Sequence, residues 1–392
     1  MDNTYICEYS RTPIGSYQGQ LKDIPAPKLG AYTIKSLLNK TKIDKSEIKE
    51  VIMGNVLSAG VGQAPARQAS IYAGLDYSTE CMTINKVCGS GLKAIMLADQ
   101  SIRSQGVDCI IAGGMENMSL APHYISGRSG LNFGNSKLKD AILMDGLWDP
   151  YNNVAMGSCA EILVDEENFS REEQDAFAIE SYKRSNHAIK KGYFKNEIVP
   201  IEIKTKKGTI LVDTDEEPLR FNEQKIKSIN PVFKKNGSIT AANASSLNDG
   251  AASVLIASKN KVDKYGIIPK AKIISHASFA MEPVYFTKAP IYAIKKVLAK
   301  TELSINEIDL FEINEAFSCV SLVAMKELNI PHEKININGG AVSLGHPIGA
   351  SGARILVTLL NALERKQKRF GVACLCIGGG EASAMIVERI IK

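Results

Sequence analysis

Two cysteines and one histidine stand at glycine-rich corners of the chain, and one asparagine stands at a strand end. A thiol can form a covalent intermediate at a carbonyl, and an imidazole or a second thiol can move the protons. Cys88 lies in Asn85-Lys86-Val87-Cys88-Gly89-Ser90-Gly91, where a strand pattern ends and a helix pattern begins. A thiol at a helix N-terminus has its thiolate favoured by free N–H groups and by the helix dipole. The glycines let a substrate approach the backbone. A small core residue at a strand–helix junction is the equal alternative. His346 lies in Asn338-Gly339-Gly340-Ala341-Val342-Ser343-Leu344-Gly345-His346-Pro347-Ile348-Gly349, the richest glycine loop of the chain. Pro347 biases His346 away from helical geometry. A hydrogen-bonded structural histidine and a phosphate cradle are the rival readings, although the Lys-Ser/Thr of a P-loop is missing. Cys376 opens Cys376-Ile377-Gly378-Gly379-Gly380. It shares a strand face with Cys374, but no second cysteine pair completes a zinc site. Asn314, beside Glu315, ends a strand pattern in Glu312-Ile313-Asn314-Glu315-Ala316-Phe317. It either forms a turn or orients a water.

Strand and helix patterns alternate around these corners. Ile110–Ala112 reads as a buried strand after the amphipathic helix Leu92–Ile102, and Glu307–Ile313, Ala353–Leu363 and Val372–Cys376 repeat the theme. This alternation predicts a mixed, largely parallel sheet with helices on both sides. The chain also nearly repeats itself. Glu47–Asn55 is echoed by Glu307–Asn314, Gly89–Ile95 by Ala350–Ile355, and Ile111–Glu116 by Ile377–Glu381. Three ordered echoes imply two similar halves. Residues 118–248 have a different texture, with helix patterns at Met156–Asp165 and Arg171–Lys191 between long polar connections. Irregular segments this long usually serve function. The expected organisation is an N-terminal half at 1–117 and 249–268, a loop domain at 118–248 covering a site, and a C-terminal half at 269–392.

Composition narrows the class. The chain has 392 residues, 45% hydrophobic and 23% charged, which is ordinary for a globular protein. That length predicts two or three domains, or two large fused halves. No apolar run is long enough to span a bilayer. A balance of 47 Lys+Arg against 42 Asp+Glu leaves +5. This is too weak to argue for nucleic acid and compatible with an anionic substrate where the charge is local. Lys225–Lys227 reads as solvated surface. Eight cysteines match neither a disulfide scaffold nor a zinc ribbon. Buried free thiols in a reducing compartment are expected. Thr4–Glu8 reads as a strand rather than part of a signal peptide. The expected location is cytoplasmic, with the mitochondrial matrix, after loss of a presequence, as the alternative.

Asn85–Gly91, Gly113–Ser119, Asn314–Phe317, Asn338–Arg354 and Cys376–Gly380 resemble the blocks of the thiolase family, in order and over essentially the whole chain. The resemblance implies an α/β fold of two duplicated βαβαβαββ halves in a five-layered α-β-α-β-α arrangement with an inserted loop domain. It implies acetyl-CoA C-acetyltransferase activity, in which two acetyl-CoA give acetoacetyl-CoA and CoA. Cys88 would carry the acetyl group, His346 would take its proton, and Cys376 would remove the α-proton of the second acetyl-CoA. Asn314, through a water, would form one oxyanion hole with His346. The N–H groups of Cys88 and Gly378 would form the other. Leu147, Met156, Phe233, Ser245 and Phe317 would line the coenzyme A pocket, with Arg220 and Lys225 near its nucleotide end.

Within that family the chain resembles the short-chain, potassium-activated, mitochondrial-like type. The K⁺ ligands would be Tyr182, Ala241, Ala242, Ala244 and Val342. No organic cofactor is implied, because acetyl-CoA, CoA and acetoacetyl-CoA are substrates and products. No nucleic acid or membrane partner is implied. A homotetramer built as a dimer of dimers is, with Ala121–Asp149 as a candidate contact. Two positions depart from the family's usual pattern. Ala155 stands where many members carry His, and Glu381 follows the glycines where Met or Gln is usual. The alternative activity is a degradative 3-ketoacyl-CoA thiolase of broader chain length. A ketoacyl synthase normally uses a cysteine with two histidines or with a histidine and an asparagine, so the second cysteine, Cys376, argues against it, and a non-catalytic acyl-CoA binder would be expected to have lost the nucleophile or base.

Overall fold

The computed structural model describes residues 3–41, 43–128, 130–131, 133–206 and 208–391. The N-terminal half runs β1 (Thr4–Arg11), α1 (Ala26–Thr41), β2 (Glu50–Gly54), α2 (Pro65–Ala73), β3 (Glu80–Ile84), α3 (Ser90–Gln105), β4 (Cys109–Asn117) and, after a long excursion, β5 (Asn248–Ser258). The excursion carries helices α4 (Met156–Glu167) and α5 (Arg171–Lys190). The C-terminal half runs β6 (Ala271–Ala280), α6 (Ala289–Leu298), β7 (Leu310–Ile313), α7 (Ser318–Leu328), α8 (Ser351–Lys366), β8 (Phe370–Ile377) and β9 (Glu381–Arg389).

The two halves share one strand order. The first reads β3-β2-β4-β5-β1 across its sheet, and the second reads β7-β8-β9-β6. The second half's missing third strand survives as a single parallel bridge, Phe311 to Ile335. The half-sheets meet at a corner where β1 pairs antiparallel with β6, Tyr5 opposite Lys272 and Ile6 opposite Ala271. Helices α3 and α8 pack side by side between them, and α8 touches both β5 and β8. Thirteen of the sixteen residues of α8 are buried, as the middle layer of a sandwich demands. Helices α1 and α2 cover the outer face of one half-sheet, and α6 packs against β6, β8 and β9 on the other side, with α7 against it. The result is α-β-α-β-α. Each buried Leu, Ile or Val of α8 contributes roughly 1.5–3 kcal/mol, so this central helix is the costliest element to disturb.

Two expectations need correction. The sheet is mixed but not largely parallel. Only β2–β3, β2–β4 and β7–β8 pair parallel, while the other five neighbours run antiparallel. A strand joined to the next by a three-glycine turn, as β8 is to β9, must return antiparallel. The third internal echo is also out of register. The β2–β4 ladder sets Val51 opposite Ile111, and the β7–β8 ladder sets Phe311 opposite Val372. With Val51 equivalent to Phe311, Met115 corresponds to Cys376, whereas the echo of Ile111 by Ile377 would put Ile110 there. The glycines serve different ends. A Cβ on Gly113 would sit 2.1 Å from the Ala252 carbonyl oxygen, whereas Gly379 and Gly380 turn the chain at φ +90° and +86°.

The excursion is tied down by one residue of β1. Arg11 is fully buried, with Nε donating to Glu197 at 2.6 Å and both terminal nitrogens donating to Asp215 at 2.7 and 2.9 Å. Helix α5 begins with a capping box, Ser170 and Glu173 each satisfying the other's backbone N–H. Among the described residues, no helix is long and apolar enough to cross a membrane.

Candidate active site

The nucleophile corner is built from a strained turn. Between β3 and α3, Val87 adopts φ +46°, a left-handed conformation that a β-branched residue rarely takes. Local bonds hold it. Ser90 Oγ donates to the Val87 carbonyl at 2.7 Å and accepts the Lys86 N–H at 2.8 Å, and Val87 N–H donates to Asn85 Oδ1 at 2.9 Å. Cys88 therefore sits on a rigid projection just ahead of α3. A Cβ on Gly89 would meet Ile377 Cδ1 at 2.3 Å, so the corner lies tightly against the end of β8.

The histidine corner comes from the loop that precedes α8. His346 N–H donates to Asn248 Oδ1 at 2.9 Å, at the start of β5. Gly345 at φ +103° lets Asn248 come this close, because a Cβ there would stand 2.3 Å from its Cγ. Behind the ring, Nδ1 lies 2.5 Å from Ser351 Oγ, while Nε2 is buried without a partner in the protein. Burial, with Arg354 adding to it, pushes the imidazole down to about 3. It is a neutral base throughout the working pH range.

These corners meet at a narrow cavity of about 160 Å³. Cys88, His346 and Gly378 are among the residues that line it. The N–H groups of Gly378 and of Cys88 itself point to the Cys88 sulfur. Cys376, in β8, is buried and does not line the cavity, yet it lies close enough that the Cys88 sulfur opposes its ionisation. Asn314, also buried, follows β7, and its amide Nδ2 is unpartnered. Leu147, Met156, Phe233, Ser245 and Phe317 line the same cavity. Phe233 and Phe317 meet edge to face at 6.2 Å. Arg220 and Lys225 do not line it. Arg220 ends a short 3-10 turn and pairs with Glu217 at 3.5 Å, and Lys225 lies in the short helix Glu223–Ser228. Of the K⁺ set, Ala244 reaches the cavity, Tyr182 and Ala242 join one small apolar cluster, Val342 lies in the short helix before His346, and Ala241 adjoins Ala242 in the chain.

Helix position does not make Cys88 a thiolate. Cys88 is only half-buried at the cavity wall, yet desolvation by the surrounding protein pushes its thiol up to about 11 and outweighs the two N–H groups that pull it down. Cys376 is pushed up as well, chiefly by burial. The resting site thus holds two neutral thiols and a neutral imidazole. Alkylation of Cys88 by iodoacetamide should accelerate about tenfold per pH unit between pH 7 and 9, because only the thiolate reacts. Mass spectrometry of the alkylated peptide reads this directly, and a plateau below pH 8 would contradict it.

Several site residues carried no sequence signal of their own. Glu116 is fully buried, pushed up to about 7 by burial. It accepts the N–H groups of Val56, Leu57 and Gly349 and the Asn55 amide, so it welds two loops together under the site. Phe286 lines the cavity without standing in any motif, and Met118 and Ile348 line it from motifs that did not single them out. The two departures resolve differently. Ala155 lines the cavity at the start of α4. Glu381 forms an ion pair with Lys86 instead of turning toward Cys376. No group of three His, Cys, Asp or Glu that could hold a metal occurs among the described residues.

Residues 4–260 match the thiolase N-terminal domain family and residues 267–389 the thiolase C-terminal domain family. The chain is 50% identical over 390 residues to an acetyl-CoA acetyltransferase of Yarrowia lipolytica, covering 100% of this chain and 97% of that protein. It is 48% identical over 387 residues to the human mitochondrial acetyl-CoA acetyltransferase, covering 98% and 90%. The crystal structure of the Acat5 thiolase from Ascaris suum in complex with coenzyme A superposes with a TM-score of 0.94 at 44% identity, covering 99% of this chain and 100% of that one. The Bacillus anthracis acetyl-CoA acetyltransferase gives a TM-score of 0.97 at 36% identity, covering 100% and 99%.

Proposed function

The chain belongs to the thiolase family, and on that premise we propose that it is an acetyl-CoA C-acetyltransferase, joining two acetyl-CoA into acetoacetyl-CoA and CoA, reversibly. The observation that carries this reading is the cavity itself. Cys88, His346 and Gly378 line it together with apolar side chains, and the Gly378 and Cys88 N–H groups point to the Cys88 sulfur.

The residues divide the work as follows. His346 Nε2 takes the Cys88 proton as the sulfur attacks the acetyl carbonyl. The bond from that carbon to the CoA sulfur breaks, and the Cys376 thiol gives its proton to the departing CoA. Acetyl-Cys88 remains, its carbonyl oxygen beside the N–H groups of Cys88 and Gly378. Cys376, now a thiolate, removes an α-proton from a second acetyl-CoA. The enolate oxygen of that molecule faces His346 and Asn314. Its carbon attacks acetyl-Cys88, and the released Cys88 sulfur recovers its proton from His346. One thioester replaces another in the first half, so little free energy is lost. The enolate step is the hard one, where a single well-aimed donor is worth about 3 kcal/mol.

The pantetheine arm fits between Leu147, Met156, Phe233, Ser245 and Phe317, with Arg220 and Lys225 as exposed cations for the coenzyme's phosphates. K⁺ would be held by Tyr182 and the carbonyl oxygens of Ala241, Ala242, Ala244 and Val342. Burial pushes the Tyr182 phenol up to about 12, so it offers a neutral oxygen. Such a donor set suits a large monovalent cation, whose role would be to stiffen residues 241–244 beside the cavity. The homotetramer finds support in the exposed apolar side chains Leu131, Phe133 and Leu138, all within the 121–149 segment. Eight free thiols fit a reducing compartment, cytoplasmic or mitochondrial.

One experiment tests this reading. Thiolysis is measured over 3-ketoacyl-CoA substrates of four to eight carbons, in K⁺ and in Na⁺ buffers. The four-carbon substrate should be fastest, and K⁺ should raise its rate. Rates climbing toward eight carbons would favour the degradative alternative, and equal rates in the two buffers would remove the K⁺ site.

A further inference from the structure

Arg354 lies in the first turn of α8 and is buried to 1% exposure, yet its charge is poorly matched. Its Nη2 donates to Asn314 Oδ1 at 3.3 Å. Its Nη1 stands 3.6 Å from Glu312, too far for a hydrogen bond, and Nε and Nη1 both lack acceptors. Burial pushes Glu312 up to about 8, so that partner is largely protonated at neutral pH. An apolar side chain of similar volume would stabilise this core better than a half-paired guanidinium.

What the charge does explains its presence. A guanidinium only donates. The Asn314 atom facing it must therefore be the oxygen, and the amide cannot flip without setting N–H against N–H. Nδ2 is left turned away, buried and unpartnered. The same charge reaches the neighbouring imidazole and opposes protonation of His346.

We infer that Arg354 is a positioning residue for the enolate step: it locks the Asn314 amide with its donor toward the oxyanion. This rests on the assignment of Asn314 and His346 to the enolate oxygen made above. It predicts a selective defect. The acetyl group on Cys88 is held by the Cys88 and Gly378 N–H groups, which Arg354 does not touch.

The test uses the full-length enzyme with two readouts. One is exchange of the acetyl-CoA methyl protons into deuterated water, which reports enolate formation. The other is the burst of Cys88 acetylation. Arg354→Met should slow exchange by about 100-fold, as loss of an oxyanion donor does, and leave the acetylation burst near the wild-type rate. Combining Arg354→Met with Asn314→Ala should cost no more than Asn314→Ala alone, because Arg354 acts through Asn314. Equal loss of both steps, or additive losses in the double variant, overturns the proposal. Should the methionine variant fail to fold, Arg354→Lys keeps the charge and a donor and must hold exchange within about tenfold of the wild type. A loss as deep as that of Asn314→Ala would then overturn it. Wild-type exchange in Asn314→Ala would overturn the assignment beneath it as well. A deep loss there with wild-type exchange in Arg354→Met overturns this proposal alone.

Discussion

Cys88→Ser should lose the acetyl-enzyme altogether: after incubation with acetyl-CoA, the variant's mass stays unchanged where the wild type gains one acetyl group. The steady-state rate should fall by about four orders of magnitude, as when the nucleophile of a coupled catalytic group is removed. Two physical differences carry this. A hydroxyl is a far weaker acid than a thiol, so His346, itself pushed down to about 3, has too little driving force to draw the proton off. An oxygen ester is also more stable than a thioester, so an acetyl group that did reach Ser would not be released to the enolate. The substitution removes little volume, and the Val87 turn is held by Asn85 and Ser90, not by the sulfur. Circular dichroism should match the wild type. A mass gain in the serine variant that maps to any residue other than position 88 would take the nucleophile away from Cys88.

The corners of this site are legible in the chain because glycine and proline announce turns through backbone sterics, which are local. Gly89, Gly345, Gly379 and Gly380 each mark a place where a Cβ would collide or the chain must take a positive φ. Helices α4 and α5 are legible for the same reason: their patterns complete within a few turns. What spacing does not carry is partnership across the fold. Glu116 meets Gly349 and Lys86 meets Glu381, pairs separated by 233 and 295 residues. Nothing near either residue says which partner it will find. The ionisation of Cys88 is another tertiary property. The helix dipole is visible from the position before α3, but the depth of burial that outweighs it depends on how β8 and its turn close over the corner. Sheet register escapes too, since Gly113-Gly114 and Gly378-Gly379 share letters while standing at inequivalent points of the two half-sheets.

Removing the second thiol should split the reaction instead of stopping it. Cys376→Ala is expected to acquire the acetyl group from acetyl-CoA and to release CoA, yet to slow condensation by about 10³-fold, the range of a lost general base. In the acylation half, Cys376 only delivers a proton to departing CoA. A thiolate leaves unaided at modest cost near pH 8, since an ordinary thiol has a pKa of about 8.5. In the condensation half, the proton sits on carbon, and no other group in the cavity replaces the base. His346 already carries the proton taken from Cys88 and is turned to Cys88 and to the enolate oxygen. Cys374, two residues away, bonds its thiol to the Pro290 carbonyl and is pushed far up by burial. The measurement is a rapid-quench burst of acetyl-enzyme beside the steady rate of acetoacetyl-CoA formation. A full burst followed by near-zero turnover is the expected pattern. Near-normal condensation in the alanine variant would move the α-proton to another base, and loss of the burst would mean that the two sulfurs do not divide the work as their positions imply.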